Sequence, residues 1–353
     1  MSSGQTKESG PAQYTIVGNQ LTFPKTIEVA VSGTNRVKIT FLELVIPPIS
    51  NQEAVWFKDE PFANYMKQSD FYMIGGKAKS KFSNVRANED NSQIFFDIFV
   101  GDDHKSSGII QIYELKPVID FEGNDFGVGC GNEAIEFFHE KDGEKILLIR
   151  FTPENILWYR SREEEGISGL DNYADVLVYD LLYVGIAKKG DSYDRLIAKG
   201  HHARQEILSN EPQRYPGARV TDEIFLFLFR PEPLFITTFG PNSDIDLDFG
   251  YDHKKIIADA EKAFVSLLKP NYNTIRFKQY PKGSDGLYDS KLDRYGYSIG
   301  EAITFNTPHG QIKGGRNGDL GGLSNKADFI SVDKESAKIF ISGVDFPNDE
   351  PNA

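Results

Sequence analysis

A period-two alternation of apolar and polar positions runs through the first part of the chain. Residues 14–17, 26–31, 36–46, 93–100, 108–113 and 145–151 carry it and are rich in β-branched and aromatic side chains. This pattern puts one face of a strand in a core and leaves the other to solvent. Ser32-Gly33, Pro47-Pro48 and Gly101-Asp102-Asp103 punctuate these runs as turns. The spacing predicts a β-dominated region over residues 14–165, a sandwich or curved barrel. Residues 161–169 are polar, contain two glycines and mark the best boundary.

The pattern then changes period. Residues 174–187 form a long apolar stretch of β type. Residues 192–209 predict a helix with Asp191 or Ser192 near its N-cap. Gly200 interrupts it at a cost of about 1 kcal/mol relative to Ala. Residues 223–230 predict a strand; the apolar run 224–229 has the length of a buried strand and is far too short to span a bilayer. Residues 255–268 predict a second helix, with Ile256, Ile257, Ala260, Phe264, Leu267 and Leu268 on one face and Pro270 as its stop. Strands return at 301–305, 329–332 and 338–342. The glycine-rich stretch 310–322 lacks a Gly-Lys-Ser/Thr ending, so it reads as a mobile loop rather than a phosphate cradle. No fixed-period repeat is present.

Composition narrows the function classes. A net charge of −13 argues against a protein that coats nucleic acid through bulk charge. Residues 183–280, with 14 Lys plus Arg against 13 Asp plus Glu, are locally neutral within an acidic chain. Cys130 is the only cysteine, which excludes an intrachain disulfide or a Cys-based metal site and suits a reducing, cytoplasmic setting. Residues 1–13 are polar and read as a disordered tail rather than a signal peptide, and residues 346–353 as a second tail.

The candidate chemistry lies between residues 173 and 278. Tyr183-Val184-Gly185 ends an apolar strand, and Gly185 permits close approach of a ligand or backbone. On the first helix Arg195, Lys199, His202 and Glu206 form one polar stripe, in which Arg195 could grip a phosphate oxygen through its planar fork. His201 lies off the stripe and reads as a packing residue. Glu261 sits at the border of the apolar face of the second helix. A carboxylate there is either a solvent-reaching partner of a nearby lysine or a partly desolvated ligand for a cation. Asp259 and Lys262 point elsewhere.

In this order the motifs resemble the GIY-YIG nuclease superfamily, over roughly residues 173–278. Tyr183-Val184-Gly185 looks like the second signature, Arg195 like the helix arginine, Glu261 like the metal-binding glutamate and Asn273 like the asparagine that follows it. The tyrosine of the first signature is sought at Tyr173 or Tyr179, and Lys199 or His202 is best placed for the residue that follows the arginine. The resemblance implies an α+β fold: a central GIY-YIG-like domain over 166–281, a small antiparallel sheet flanked by helices, between a β-rich N-terminal domain (14–165) and a β-rich C-terminal part (282–345). It implies a metal-dependent endonuclease that hydrolyses phosphodiesters, with Mg²⁺ or Mn²⁺ on Glu261 and DNA ahead of RNA as substrate. Arg195 would stabilise the transition state, Tyr183 or Tyr173 would help activate water, and Gly185, Lys188 and Asn273 would line or position the substrate site. Lys188, Lys189 and Lys199 would supply the positive field. By analogy the β-rich parts would serve target recognition or assembly, through a homo-oligomer or a partner protein, in defence against foreign nucleic acid. The alternative is an inactive binding or assembly protein on the same domain.

Overall fold

Strands that are apolar on both faces need a layer on each side, and this requirement organises the chain. The computed structural model describes residues 15–16, 21–22, 35–57, 62–121, 125–239, 252–317 and 324–346. The predicted tails, the strand 26–31 and the acidic run 244–248 lie outside these residues, apart from residue 346.

The chain divides into two compact units. The smaller comprises Met1–Asn35 and Thr237–Asp248. In it Thr15–Ile16 and Leu21–Thr22 form a short antiparallel pair.

The larger unit is built on a ten-stranded mixed sheet. Its strands are β1 (Asn35–Leu44), β2 (Ile49–Ser50), β3 (Phe71–Gly76), β4 (Val178–Ile186), β5 (Ile224–Thr238), β6 (Arg294–Ile299), β7 (Thr304–Thr307), β8 (Gly310–Lys313), β9 (Phe329–Val332) and β10 (Ala337–Phe340). The order is β8-β7-β4-β3-β5-β1-β6-β9-β10, with β2 also paired to β5. The pairs β4–β7 and β1–β6 are parallel, while β3 pairs antiparallel with both β4 and β5. Every residue of β3 is buried, as are the first six of β5. Phe71, Met73, Phe225, Phe227 and Phe229 belong to one core cluster. Tyr72, Ile74, Leu226 and Leu228 belong to another.

Three helices frame the sheet and the site: α1 (Pro153–Ser161), α2 (His202–Asn210) and α3 (His253–Leu268). Asp252 caps α3 by accepting from the Lys255 amide, and Lys269 ends it in the left-handed region (φ 50°), just before Pro270. Ile256, Ile257, Ala260, Phe264 and Leu268 are buried, as predicted. The helix touches β4 and both outermost strands, β8 and β10, so the sheet curls around it.

Between β3 and β4 lie two smaller antiparallel sheets. One orders Ile167–Gly169, Asp103–Gln111, Gln93–Val100 and Ser80–Ala87. The other orders Glu144–Phe151, Ile135–Lys141 and Gly127–Cys130. The polar stretch 161–169 is therefore not free linker, since its last residues join the first of these sheets.

This corrects the expected fold class. The chain does not form a small antiparallel sheet flanked by helices between β-rich parts. It is 40% strand against 22% helix, and strands from residues 35–76, 178–238 and 294–340 share one large mixed sheet. The physical reason is that β4 and β5 are buried on both faces and take neighbours from distant parts of the sequence. Within the glycine-rich stretch, Gly310–Lys313 is a strand paired with β7 rather than loop, and residues 318–322 lie outside the described residues. A Cβ on Gly314 would lie 2.2 Å from the Glu301 carbonyl, so only glycine fits there. No helix of the described residues is long and apolar enough to cross a membrane.

Candidate active site

The register of β3 against β4 sets Tyr72 opposite Gly185 and Ile74 opposite Tyr183. An irregularity between Leu181 and Tyr183 changes which side chains face which way. Before it, Tyr179 and Leu181 point into the cluster that holds α3; after it, Tyr183 packs with Tyr72 on the other cluster. The rings of Tyr72 and Tyr183 stack at 6.1 Å. A Cβ on Gly185 would meet Tyr72 Cζ and Oη at 2.7 Å and the Tyr183 ring at 2.6 Å, so the two rings lie across a bare backbone. Gly185→Ala is expected to force them aside and cost about 1–3 kcal/mol, read as a lower unfolding temperature.

Two groups converge on the Tyr72 hydroxyl. Arg195 sits on a wide helical turn, Asp194–Ala198, and its Nε donates to Tyr72 Oη at 2.8 Å. Gly200, with φ +74°, then breaks the helix and lets His201 turn inward as the N-cap of α2. His201 Nδ1 accepts from the Arg204 amide at 3.4 Å, which leaves the proton on Nε2, 3.1 Å from Tyr72 Oη. His201 is 8% exposed and stands edge-on to Tyr183 at 5.2 Å. Burial, helped by Arg195, His202 and Arg204, lowers its pKa to about 4, so it is neutral near pH 7. Arg204 is fixed by Asn51 Oδ1 and the Leu196 carbonyl, both at 2.5 Å.

Glu261 lies near this cluster. It is half-buried on α3, near enough for its charge to act on Tyr72, Tyr183 and Arg195. Its carboxylate makes no hydrogen bond or ion pair with any described residue. Burial raises its pKa to about 7 against the pull of Lys188, Arg195 and Lys262. Burial likewise pushes the Tyr72 and Tyr183 hydroxyls up, with the Arg195 charge opposing it.

Asn273 acts on the strand itself. It is 6% exposed, accepts from the Val184 amide at 2.9 Å and donates to the Val184 carbonyl at 2.7 Å. The Tyr272 amide donates to the Leu182 carbonyl at 3.1 Å. β7 pairs with β4 only at residues 178–180, so this segment takes over as its neighbour further along. Asn273→Ala would strand a buried N–H and C=O. A loss of about 2–4 kcal/mol is expected in denaturant unfolding.

The expected site residues therefore separate. Tyr183, Gly185, Arg195, Glu261 and Asn273 come together, and the Lys188 charge acts on Glu261. Tyr173 does not reach the cluster; it packs by Arg160 on a helical turn (Tyr173–Val176). Tyr179 is buried on the opposite core among Phe225, Phe227 and Phe305. Lys199 is exposed and pairs with Asp194 at 3.0 Å, and His202 is exposed, 3.9 Å from Glu206. The break at Gly200 removes the stripe that would have joined them to Arg195. Tyr72 and His201 stand in their places. Asp259 and Lys262, which point away from the apolar face of α3, are also buried. Asp259 accepts from the Tyr280 and Tyr297 hydroxyls at 2.7 and 2.8 Å, and Lys262 pairs with Asp285.

A divalent cation suits part of this donor set. Glu261 is an unpartnered, partly desolvated oxygen ligand, and Mg²⁺ commonly takes one or two carboxylates and fills the remainder with water and substrate phosphate. Among the described residues no group of three or more His, Cys, Asp or Glu could hold a metal as a protein cage. No protein-family model matches the chain, and comparisons with curated proteins and with solved structures return no match.

Proposed function

We propose that the protein is a divalent-metal-dependent phosphodiester hydrolase acting on nucleic acid, related in its site to the GIY-YIG nucleases. The observation that supports this reading is the convergence of Tyr72, Tyr183, Arg195, His201 and the unpartnered Glu261, from four separate stretches of chain, on one cluster.

Each side chain has a role that its surroundings suit. Tyr72 Oη accepts from Arg195 and, with Nε2 carrying the proton, from His201. Tyr72 is fully buried and burial pushes its hydroxyl up, so it would act as base toward an attacking water only after giving up its own proton to solvent, an ionisation that Arg195 and a cation on Glu261 would favour. Neutral His201 holds this geometry without adding a charge. Arg195, exposed on its outer side, offers its remaining N–H groups to a phosphate oxygen and to the charge that develops on it. Glu261 would hold the cation, which supplies polarisation of the scissile phosphate and offsets the cost of ionising the buried tyrosine. Asn273 keeps Tyr183 and Gly185 in register.

The test is cleavage of supercoiled plasmid and of RNA by the full chain with Mg²⁺ or Mn²⁺, with and without chelator. Chelator-sensitive cleavage is expected. Failure to cut either polymer with either ion would favour the reading as a binding or assembly protein.

A further inference from the structure

Lys38 on β1 is a lysine in the wrong solvent. It is 1% exposed, and its Nζ makes no hydrogen bond or ion pair among the described residues. The Tyr297 ring lies below it, 5.8 Å away at the centroid. An ammonium buried without a partner is costly, so the group beside it that could serve as one matters.

That group is Asp259 on α3, also 1% exposed, whose charge acts on Lys38. Its oxygens are already taken. Oδ1 accepts from the Tyr280 and Tyr297 hydroxyls at 2.7 and 2.8 Å, and Oδ2 from the Leu287 amide at 2.7 Å. The Tyr295 hydroxyl stands 3.4 Å from Oδ2. A carboxylate has about four lone-pair positions, and these donors fill them. A Cβ on Gly286 would lie 2.4 Å from Oδ2, so the loop backbone closes the approach on that side. Lys38 is a fifth donor with no place on the anion beside it.

The four donors are not equally held. Tyr295 and Tyr297 belong to β6, which pairs with β1 and with β9. Tyr280 and Leu287 belong to the loop after α3. An ammonium binds a carboxylate about twice as strongly as a neutral hydroxyl or amide does. A charged Lys38 would therefore displace donors, and the loop can yield where the sheet cannot. The titratable groups around Lys38 are Asp259 from α3, Tyr295 and Tyr297 from β6 and Tyr280 from the loop. Burial and the Asp259 charge push all three hydroxyls up, so they remain donors near neutral pH.

We propose that Lys38, Asp259 and the loop 280–287 form a proton-operated latch. With Lys38 neutral, the carboxylate holds the loop; with Lys38 protonated, the ammonium takes the carboxylate and the loop is released. Burial lowers the Lys38 amine to about 7 against the pull of Asp259, which places the change near neutral pH. Asp285 of the same loop pairs with Lys262 and acts by its charge on Glu261, so release also alters the field beside the tyrosines. The latch itself does not depend on the hydrolase reading.

The test is amide hydrogen exchange of the full chain, read by mass spectrometry on fragments covering residues 280–290 and corrected for the pH dependence of intrinsic exchange. Protection in the loop is expected to be at least tenfold lower at pH 6 than at pH 8.5, while fragments from β3 and from 93–100 keep theirs. Lys38→Met, apolar and of similar length, should hold the loop equally at both. The wild-type unfolding temperature should also climb from pH 7 to pH 9.5 relative to Lys38→Met, because in that range the unfolded lysine binds a proton that the folded one does not. Tyr280→Phe, at a half-buried position, removes one loop donor and should loosen the loop at pH 8.5. Equal wild-type protection at the two pH values, the same drop in Lys38→Met, or full protection in Tyr280→Phe would overturn the latch.

Discussion

Tyr72→Phe is expected to slow metal-dependent cleavage by a factor of about 10²–10⁴, the usual weight of a positioned general base. The variant keeps the ring that packs on Tyr183 and across Gly185, so its fold should survive. What it removes is the one oxygen on which Arg195 and His201 meet. Arg195 is exposed and can rehydrate. His201 is buried and loses an acceptor, at roughly 1 kcal/mol of stability. The discriminating measurement is the single-turnover rate together with the unfolding temperature. A rate within threefold of wild type would remove Tyr72 from the chemistry and leave it a packing residue. Tyr183→Phe is the natural comparison: it keeps the stacked ring and leaves the oxygen shared by Arg195 and His201 in place, so it should matter less.

Glu261→Gln is expected to lower cleavage by about 10³-fold or more. A bound cation contributes several kcal/mol to such a transition state, and each 1.36 kcal/mol is tenfold in rate. The same substitution has a stability signature that needs no activity. The Glu261 pKa rises on folding from 4.5 to about 7. A raised acid pKa means the folded state binds the proton more tightly than the unfolded state. Folding stability therefore falls as pH rises from about 4.5 through about 7 and levels off above. Without divalent ions, Glu261→Gln should match wild type near pH 4 and be more stable near pH 8. With Mg²⁺ or Mn²⁺, wild type should recover stability above pH 7, because cation and proton compete for one carboxylate. Parallel melting curves for the two proteins across this range, with chelator, would show that Glu261 is not desolvated in the folded state.

The sequence announced local patterns well and pairings poorly. Residues 93–100 and 329–332 alternate cleanly, and their strands have those bounds. The second helix is legible because six apolar residues share a face and Pro270 ends it. Its other faces were not: Asp259 and Lys262 point away from the apolar face on a helical wheel, yet both are buried, Asp259 against the hydroxyls of Tyr297 on β6 and Tyr280 in the loop after α3, and Lys262 against Asp285 in the same loop. The substitution of Tyr72 for Tyr173 or Tyr179 has a similar cause. Strand pairing is a long-range event, and the partner of β4 lies beyond two complete small sheets. The irregularity after Leu181 then reverses the face on which Tyr179 would otherwise have joined Tyr183. His201 was hidden by a broken helix, since a continuous one would have turned it away from Arg195.

The separation of β3 from β4 also bears on when the molecule becomes competent during its own synthesis. About 110 residues lie between Tyr72 and Gly185, the two halves of one pairing. At 5–20 residues per second the first half waits roughly 6–22 seconds for the second to leave the ribosome. The strand bearing Tyr72 is apolar on both faces, so during this interval its unpaired edge is exposed to other nascent chains. Glu261 and Asn273 emerge later still, which keeps a half-made polypeptide from assembling the cluster.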